Sequence, residues 1–274
     1  MLAYWIHSID PFIIRFPTSW PLEGIRWYGV AYLISFLFAS FLLNYLYVHK
    51  KITLNKAFQQ NFLVALFFGI LIGGRLGFVF FYHPAYYLQN PTEIFQIWKG
   101  GMSCHGGFIG VLISLYIFSR KNHLSLLSLC DLTIPIGTFG IFLGRCANFI
   151  NGEVYGTTTT VSWGVIFNHE IFARHPSQLY EALLEGIIPF ILSCYVLFKQ
   201  KRTLYFPGLL ASRFLMFYGF VRYLLEYFRE PDAPLIGILT RGQFYSIFTF
   251  AAGLICAYYV KKHETIDRTR VFTH

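Results

Sequence analysis

The densest concentration of potential chemistry in this sequence lies between Gly144 and Gly156, where Arg145, Asn148, Asn151 and Glu153 stand among glycines and apolar residues. A guanidinium and amides are suited to a phosphate ester and its hydroxyls, because planar donors match phosphate oxygens in pairs. The glycines permit tight turns and close backbone approach. An ordinary capped loop is the plainer explanation, but it leaves many polar groups beside apolar sequence without a task. A second cluster is Tyr218, Arg222 and Glu226, spaced i, i+4, i+8 and so on one face of a helix. A self-shielding structural pair between Arg222 and Glu226 competes here with a functional role. A third is His105 within Ser103-Cys104-His105-Gly106-Gly107. Its imidazole can accept a proton near neutral pH, whereas a histidine beside glycines equally suits hydrogen bonding between close-packed helices. The nine histidines show no paired ligand spacing, so neither a metal nor any other cofactor is expected.

These residues sit in an unusual chain. Only 13% of the 274 residues are charged and 55% are hydrophobic, against about 25% charged in a soluble domain. Long runs almost free of charge cover 27–48, 58–82, 101–119, 124–144, 179–198, 207–228 and 242–260. A membrane helix needs roughly 20 apolar residues, and in lipid the backbone must satisfy its own hydrogen bonds. The expected fold is therefore an all-α polytopic membrane protein with seven transmembrane helices, forming one integral membrane domain over 1–274. The segment 145–178 is expected to make a small periplasmic cap, with short strands in the β-branched and aromatic stretches Thr157–Val161 and Trp163–Phe167.

Net charge is +9, which raises nucleic acid as a partner, but its distribution argues against one. Lys50, Lys51 and Lys56, then Arg120 and Lys121, then Lys199, Lys201 and Arg202, then Lys261, Lys262, Arg268 and Arg270 fall on alternate connections and the tail, and together make more than half of the 22 basic residues. Positive loops stay cytoplasmic, which places the N-terminus outside and the C-terminus in the cytoplasm. With that orientation Arg26, Tyr28, Arg75, His105, Arg145, His175, Glu181, Glu185, Arg222 and Glu226 all lie toward the outer end of their spans, while Asp131 and Arg213 lie in inner halves. Intramembrane ionisable residues are functional candidates by default. The odd count of five cysteines, mostly within apolar runs, suggests small buried residues rather than a disulfide framework. The N-terminus lacks the basic-then-apolar pattern of a cleaved signal peptide.

The segment Gly144–Gly156 matches in full the signature G-R-x-[GA]-N-F-x-N-x-E-x-x-G, and the chain closely resembles the bacterial prolipoprotein diacylglyceryl transferases. The resemblance extends over nearly the whole length, through Ile25-Arg26-Trp27-Tyr28-Gly29, Gly73-Gly74-Arg75-Leu76-Gly77, Gly101–Gly107, Arg174–Glu181 and Tyr218–Arg222 with Glu226. Cys104 departs from it, standing where an aromatic residue is expected before the histidine.

The resemblance implies transfer of the diacylglyceryl group of phosphatidylglycerol to the lipobox cysteine of a prolipoprotein signal peptide, in the bacterial inner membrane, as the first step of lipoprotein maturation. A thioether forms and glycerol phosphate leaves. Such a reaction needs a thiolate, from a thiol of pKa about 8.5, and cationic stabilisation of the departing phosphate. His105 is the candidate for the first need, as base or as positioning residue. Arg145 and Arg222 are the candidates for the second, with Glu226 positioning Arg222. Asn148, Glu153, Gly156, Tyr28 and Tyr218 complete the expected phosphatidylglycerol site. The nucleophile arrives with the substrate, so Cys104 and Cys146 are not catalytic candidates. A transporter would call for repeats and a midplane site, and neither is evident. A receptor leaves the embedded charges unexplained. A phospholipase stays open, and differs in needing no thiol peptide.

Overall fold

The computed structural model describes residues 4–20, 23–97, 100–168, 170–199, 207–231 and 235–262, with the side chains of Cys104 and His105 outside that description. Lys201, Arg202, Arg268 and Arg270, used above for orientation, also lie outside the described residues. The helices are α1 (Trp27–Val48), α2 (Lys56–Tyr82), α3 (Pro84–Gln89), α4 (Cys104–Asn122), α5 (Leu126–Asn151), α6 (Ser177–Glu181), α7 (Ile188–Lys199), α8 (Leu209–Leu225) and α9 (Arg241–Lys262). Four short strands accompany them: β1 (Trp5–Ile6), β2 (Phe12–Arg15), β3 (Gly24–Arg26) and β4 (Val165–Ile166).

Each apolar run coincides with helix, and five helices are long and apolar enough to cross a membrane: α1, α2, α5, the continuous Ser177–Lys199 stretch and α9. The runs 101–119 and 207–228 fall short of that measure. The helical part of the latter, α8, has 17 residues, about 26 Å at 1.5 Å per residue, below the ~30 Å hydrocarbon core. In α4 the last turn is basic, with Arg120 and Lys121, so its apolar length is shorter than its helical length.

Helix ends follow local chemistry. Asn55 caps α2 by accepting from the Phe58 N–H, and Ser103 caps α4 by accepting from Gly106. Thr240 and Gln243 form a reciprocal capping box at the start of α9, each side chain bonded to the other's backbone N–H at 3.1 Å. The start of α8 is capped from another helix: the fully buried Asp131 carboxylate of α5 accepts from Gly208 N at 2.8 Å and Ala211 N at 2.6 Å. The inner-half carboxylate of the sequence thus satisfies backbone donors that lipid would strand.

The run 179–198 is not a plain α-helix. Residues Ala182–Ile187 form a π-helical turn, in which Ile188 N–H reaches back to Leu183. Pro189 follows at once; it has no N–H to return to residue 185, and its ring crowds the carbonyl there in α geometry. The helix widens at that point.

The chain forms two compact units, one from residues up to Phe38 together with those from Asp131, the other spanning Ala39–Cys130. In the second, α2 and α4 pack closely along Gly69, Gly73 and Gly77 against Gly106 and Gly110. In the first, α8 packs along α9. The strand expected near 163–167 is β4, pairing in parallel with β1 through Trp5↔Val165 and Ile6↔Ile166. Thr158 and Val165 each bridge to Arg174, and Gly156 to Arg229. The antiparallel β2–β3 pair had no counterpart in the sequence reading.

Candidate functional site

The signature segment is half helix and half turn. Helix α5 runs on through Asn151, so Arg145 and Asn148 share a helical face one turn apart. The helix then closes with Gly152 in the left-handed region at φ 65°. Gly152 N–H bonds Phe149 O and Glu153 N–H bonds Asn148 O, the paired bonds of a Schellman ending. That reversal folds the Glu153 carboxylate back over the last turn. There it accepts from the Asn148 amide at 3.0 Å and the Asn151 amide at 3.3 Å. The Asn148 amide also meets the Tyr28 hydroxyl from the first turn of α1. Gln178 at the start of α6 bonds the Glu153 carbonyl at 2.7 Å. The reversal therefore joins three of the expected substrate residues, Asn148, Glu153 and Tyr28.

Gly156, also expected at the substrate site, lies against a second backbone segment. A Cβ there would lie 2.1 Å from Phe228 O. Its N–H bonds His175 O and the next N–H, of Thr157, bonds Phe228 O. Only glycine lets the two backbones meet, and the meeting ties the signature to the segment bearing Arg229.

At the centre of this unit is a buried network of arginines and glutamates. Glu181, just before the π turn, and Glu185, within it, have wholly buried side chains. Arg145 Nη1 lies 3.0 Å from Glu181 Oε2, and its Nη2 lies 3.2 Å from Glu185 Oε2. Arg222 Nη1 donates to Glu181 Oε1 at 2.6 Å and to Glu185 Oε1 at 3.4 Å. Arg222 Nη2 pairs with Glu226 Oε2 at 2.8 Å, one turn along α8. Arg229 Nη1 donates to Glu181 Oε1 at 3.0 Å. Glu181 thus joins three guanidinium groups. Tyr218, a turn before Arg222, lies within electrostatic reach of both Arg145 and Arg222.

Glu226 is held from its far side too. The Thr240 hydroxyl donates to its Oε1 at 3.1 Å. At Gly242 a Cβ would sit 2.3 Å from Glu226 Oε1 and 2.5 Å from Oε2. The carboxylate therefore occupies the space where any other residue in the first turn of α9 would have a side chain. Negative charge at a helix start is electrostatically favoured.

Three arginines and three glutamates balance in charge. Burying such groups singly would cost several kcal/mol each; their mutual pairing offsets that cost. Arg145 and Arg222 each keep some exposure, 18% and 14% of their side chains, while Glu181 and Glu185 keep none. The cationic edge of the network is its accessible edge. Two guanidinium forks in such a position have the chemistry to pair with the oxygens of an anion.

Sequence reading brought Arg145, Asn148, Glu153, Tyr28, Tyr218, Arg222 and Glu226 forward, and all lie in this unit. Glu181 and Glu185 had no specific task there, and Arg229 was not among the candidates. The i, i+4 spacing of the two glutamates was the available signal. His105 belongs to the other unit, on the first turn of α4.

Outside the spans, a smaller polar cluster braces the 155–174 region. The Tyr155 hydroxyl donates to Glu170 at 2.6 Å, and Arg174 pairs with Glu170 at 2.8 Å and Glu230 at 2.6 Å. Together they hold the Glu170 carboxyl below its ordinary pKa, the Tyr155 bond being the larger influence. Partial burial lowers the pKa of His175, which touches Tyr180 through Nδ1.

A family model described as prolipoprotein diacylglyceryl transferase matches residues 17–259. A phosphatidylglycerol–prolipoprotein diacylglyceryl transferase of Rickettsia felis is 43% identical over 255 residues, covering 91% of this chain and 96% of the relative. That of Rickettsia rickettsii is 44% identical over 239 residues, covering 85% and 92%. That of Rickettsia canadensis is 42% identical over 257 residues, covering 92% and 95%.

Proposed function

The chain belongs to the prolipoprotein diacylglyceryl transferase family, and from that premise we propose how its residues divide the work. It is a multi-pass membrane transferase that moves the diacylglyceryl group of phosphatidylglycerol to a prolipoprotein, the first step of lipoprotein maturation. In our reading the acceptor is the lipobox cysteine thiol of the signal peptide. Its sulfur attacks the sp3 glyceryl carbon as the C–O bond to phosphate breaks. A thioether forms, glycerol phosphate departs, and the thiol proton goes to a base.

The observation that carries this reading is the sharing of Glu181 and Glu185 between Arg145 and Arg222. Two guanidinium groups fixed by common carboxylates have little freedom left to lose when a phosphodiester arrives. They also stand ready for the charge that grows on it as it leaves. Glu226 orients Arg222. Asn148, Tyr28 and Glu153, already joined by hydrogen bonds, suit the headgroup hydroxyls. Tyr218 suits the phosphate or ester region, and Gly156 serves the site by letting the signature meet the Phe228–Arg229 backbone. His105 is assigned the proton of the incoming thiol.

The topology we propose has seven spans, counting α4 and α8, in the inner membrane. Their basic ends at Lys50–Lys51, Arg120–Lys121, Lys199 and Lys261–Lys262 then face the cytoplasm. The whole chain forms one membrane domain, whose 145–178 segment faces the periplasm as a small strand-bearing cap.

Reconstitution with phosphatidylglycerol and a lipobox peptide tests the reading. Thioether formation coupled one-to-one to glycerol phosphate release is the expected result. Lipid hydrolysis without the peptide, or no transfer by folded protein, would overturn it.

A further inference from the structure

Arg75 is 5% exposed and lies in the apolar helix α2, yet its side chain meets no carboxylate among the described residues. Instead Nε donates to Ile94 O at 2.8 Å. Nη1 donates to Gly100 O at 2.7 Å and Gly101 O at 3.2 Å, and Nη2 to Glu93 O at 2.6 Å and Gln96 O at 3.4 Å. A guanidinium has five N–H donors, and here all five go to backbone carbonyls of one segment. Arg75 therefore has no donor left for a phosphate. Its planar fork instead dictates where the segment's carbonyls point.

That segment leads directly into α4. Gly100 and Gly101 both adopt φ 82°, and a Cβ on Gly101 would press against the Phe78 ring at 2.5 Å. Ser103 then donates its N–H to Gly74 O at 2.8 Å, the residue beside Arg75, and caps α4 through its hydroxyl. His105 is two residues further on. The backbone at residues 93–97 and 100–103 is thus hung on two adjacent residues of α2, one by side chain and one by carbonyl.

We infer that Arg75 is a positioning residue for His105, acting through the backbone of residues 93–103. The inference rests on the reading of His105 as the proton acceptor. Lysine at position 75 keeps the charge but offers three donors on a rotating ammonium, so it cannot order five carbonyls. Misplacement of a reacting group by about 1 Å can cost roughly 100-fold in rate.

The test is steady-state kinetics on the full-length reconstituted protein with phosphatidylglycerol and a lipobox peptide. Arg75→Lys is expected to lower kcat about 100-fold, to leave KM for phosphatidylglycerol within about twofold, and to displace the acid limb of the pH–rate profile. Gly100→Ala disturbs the same carbonyls without touching Arg75. Nothing lies within 4 Å of a Cβ there, so only the left-handed φ is strained, and a roughly fivefold fall in kcat of the same kind is expected. The second variant decides the matter if the first does not fold. A rise in KM for phosphatidylglycerol at constant kcat, or an unshifted acid limb, would overturn the role given to Arg75. Full turnover by His105→Gln would instead overturn the reading of His105 itself.

Discussion

Arg75 and Arg222 are both largely buried guanidinium groups on apolar helices, and their partners are opposite in kind. Arg75 has its five donors on five backbone carbonyls. Arg222 meets the carboxylates of Glu181, Glu185 and Glu226. Carbonyl oxygens are part of the chain and cannot leave, so the Arg75 arrangement is a fixture that shapes backbone. Carboxylates present the same paired-oxygen geometry as a phosphate and balance the charge in its absence. The Arg222 arrangement can therefore exchange or share partners with an anionic ligand. Residue type is alike; partner chemistry is what differs between them.

The comparison breaks most readily at Arg222. Arg222→Ala leaves three buried carboxylates short of a cation, so about 3–5 kcal/mol of stability and nearly all transfer activity are expected to go. Thermal unfolding in detergent beside a transfer assay measures both, and a stable, active variant would refute the exchangeable network. Arg145→Lys keeps the charge and loses the fork. It is expected to fold and to raise KM for phosphatidylglycerol about tenfold, the effect of losing roughly 1.4 kcal/mol of binding. An unchanged KM would assign Arg145 to structure, alongside Arg75.

Gly242→Ala probes the Glu226 clamp alone. The new methyl would collide with the carboxylate, and a loss of about 1–3 kcal/mol is expected from forced rearrangement, with phosphatidylglycerol binding weakened rather than abolished. Wild-type stability in that variant would show that Glu226 has another place to go. The smallest effect belongs to the Tyr155–Glu170–Arg174 brace. The folded-state pKa of Glu170 is depressed, so its contribution is present above the ordinary carboxylate range and is lost as pH falls through the depressed value. Being near the surface, it amounts to under about 1 kcal/mol. Glu170→Gln should flatten the acid side of the stability profile by that amount and leave transfer at neutral pH unaltered, as comparison of unfolding midpoints across pH would reveal.

Much of this was legible in the chain itself. Hydropathy alone located the helices, because a membrane-length apolar run has one acceptable backbone conformation. The types and spacing of Arg145, Asn148, Glu153, Arg222 and Glu226 were enough to nominate a phosphate site, and the motif order was enough to suggest the family. The length of α8 was not legible: the run 207–228 took in Glu226, Tyr227 and Phe228, whereas α8 ends at Leu225 and Glu226 bonds Thr240. Nor was the π turn, which Pro189 prompts but does not by itself require.

Tertiary structure alone decided who pairs with whom. Glu181 and Glu185 read as two charges near the start of a span until folding set Arg145, Arg222 and Arg229 around them. Arg75 read as one more outer-end cation until the segment after α3 wrapped its carbonyls around it. The close approach of Phe228 to Gly156 joins residues far apart in the chain. Local sequence determines periodicity, caps and turns because those depend on neighbours along the chain. Ion pairs spanning 36 to 48 residues depend on how helices pack, and no local pattern encodes that.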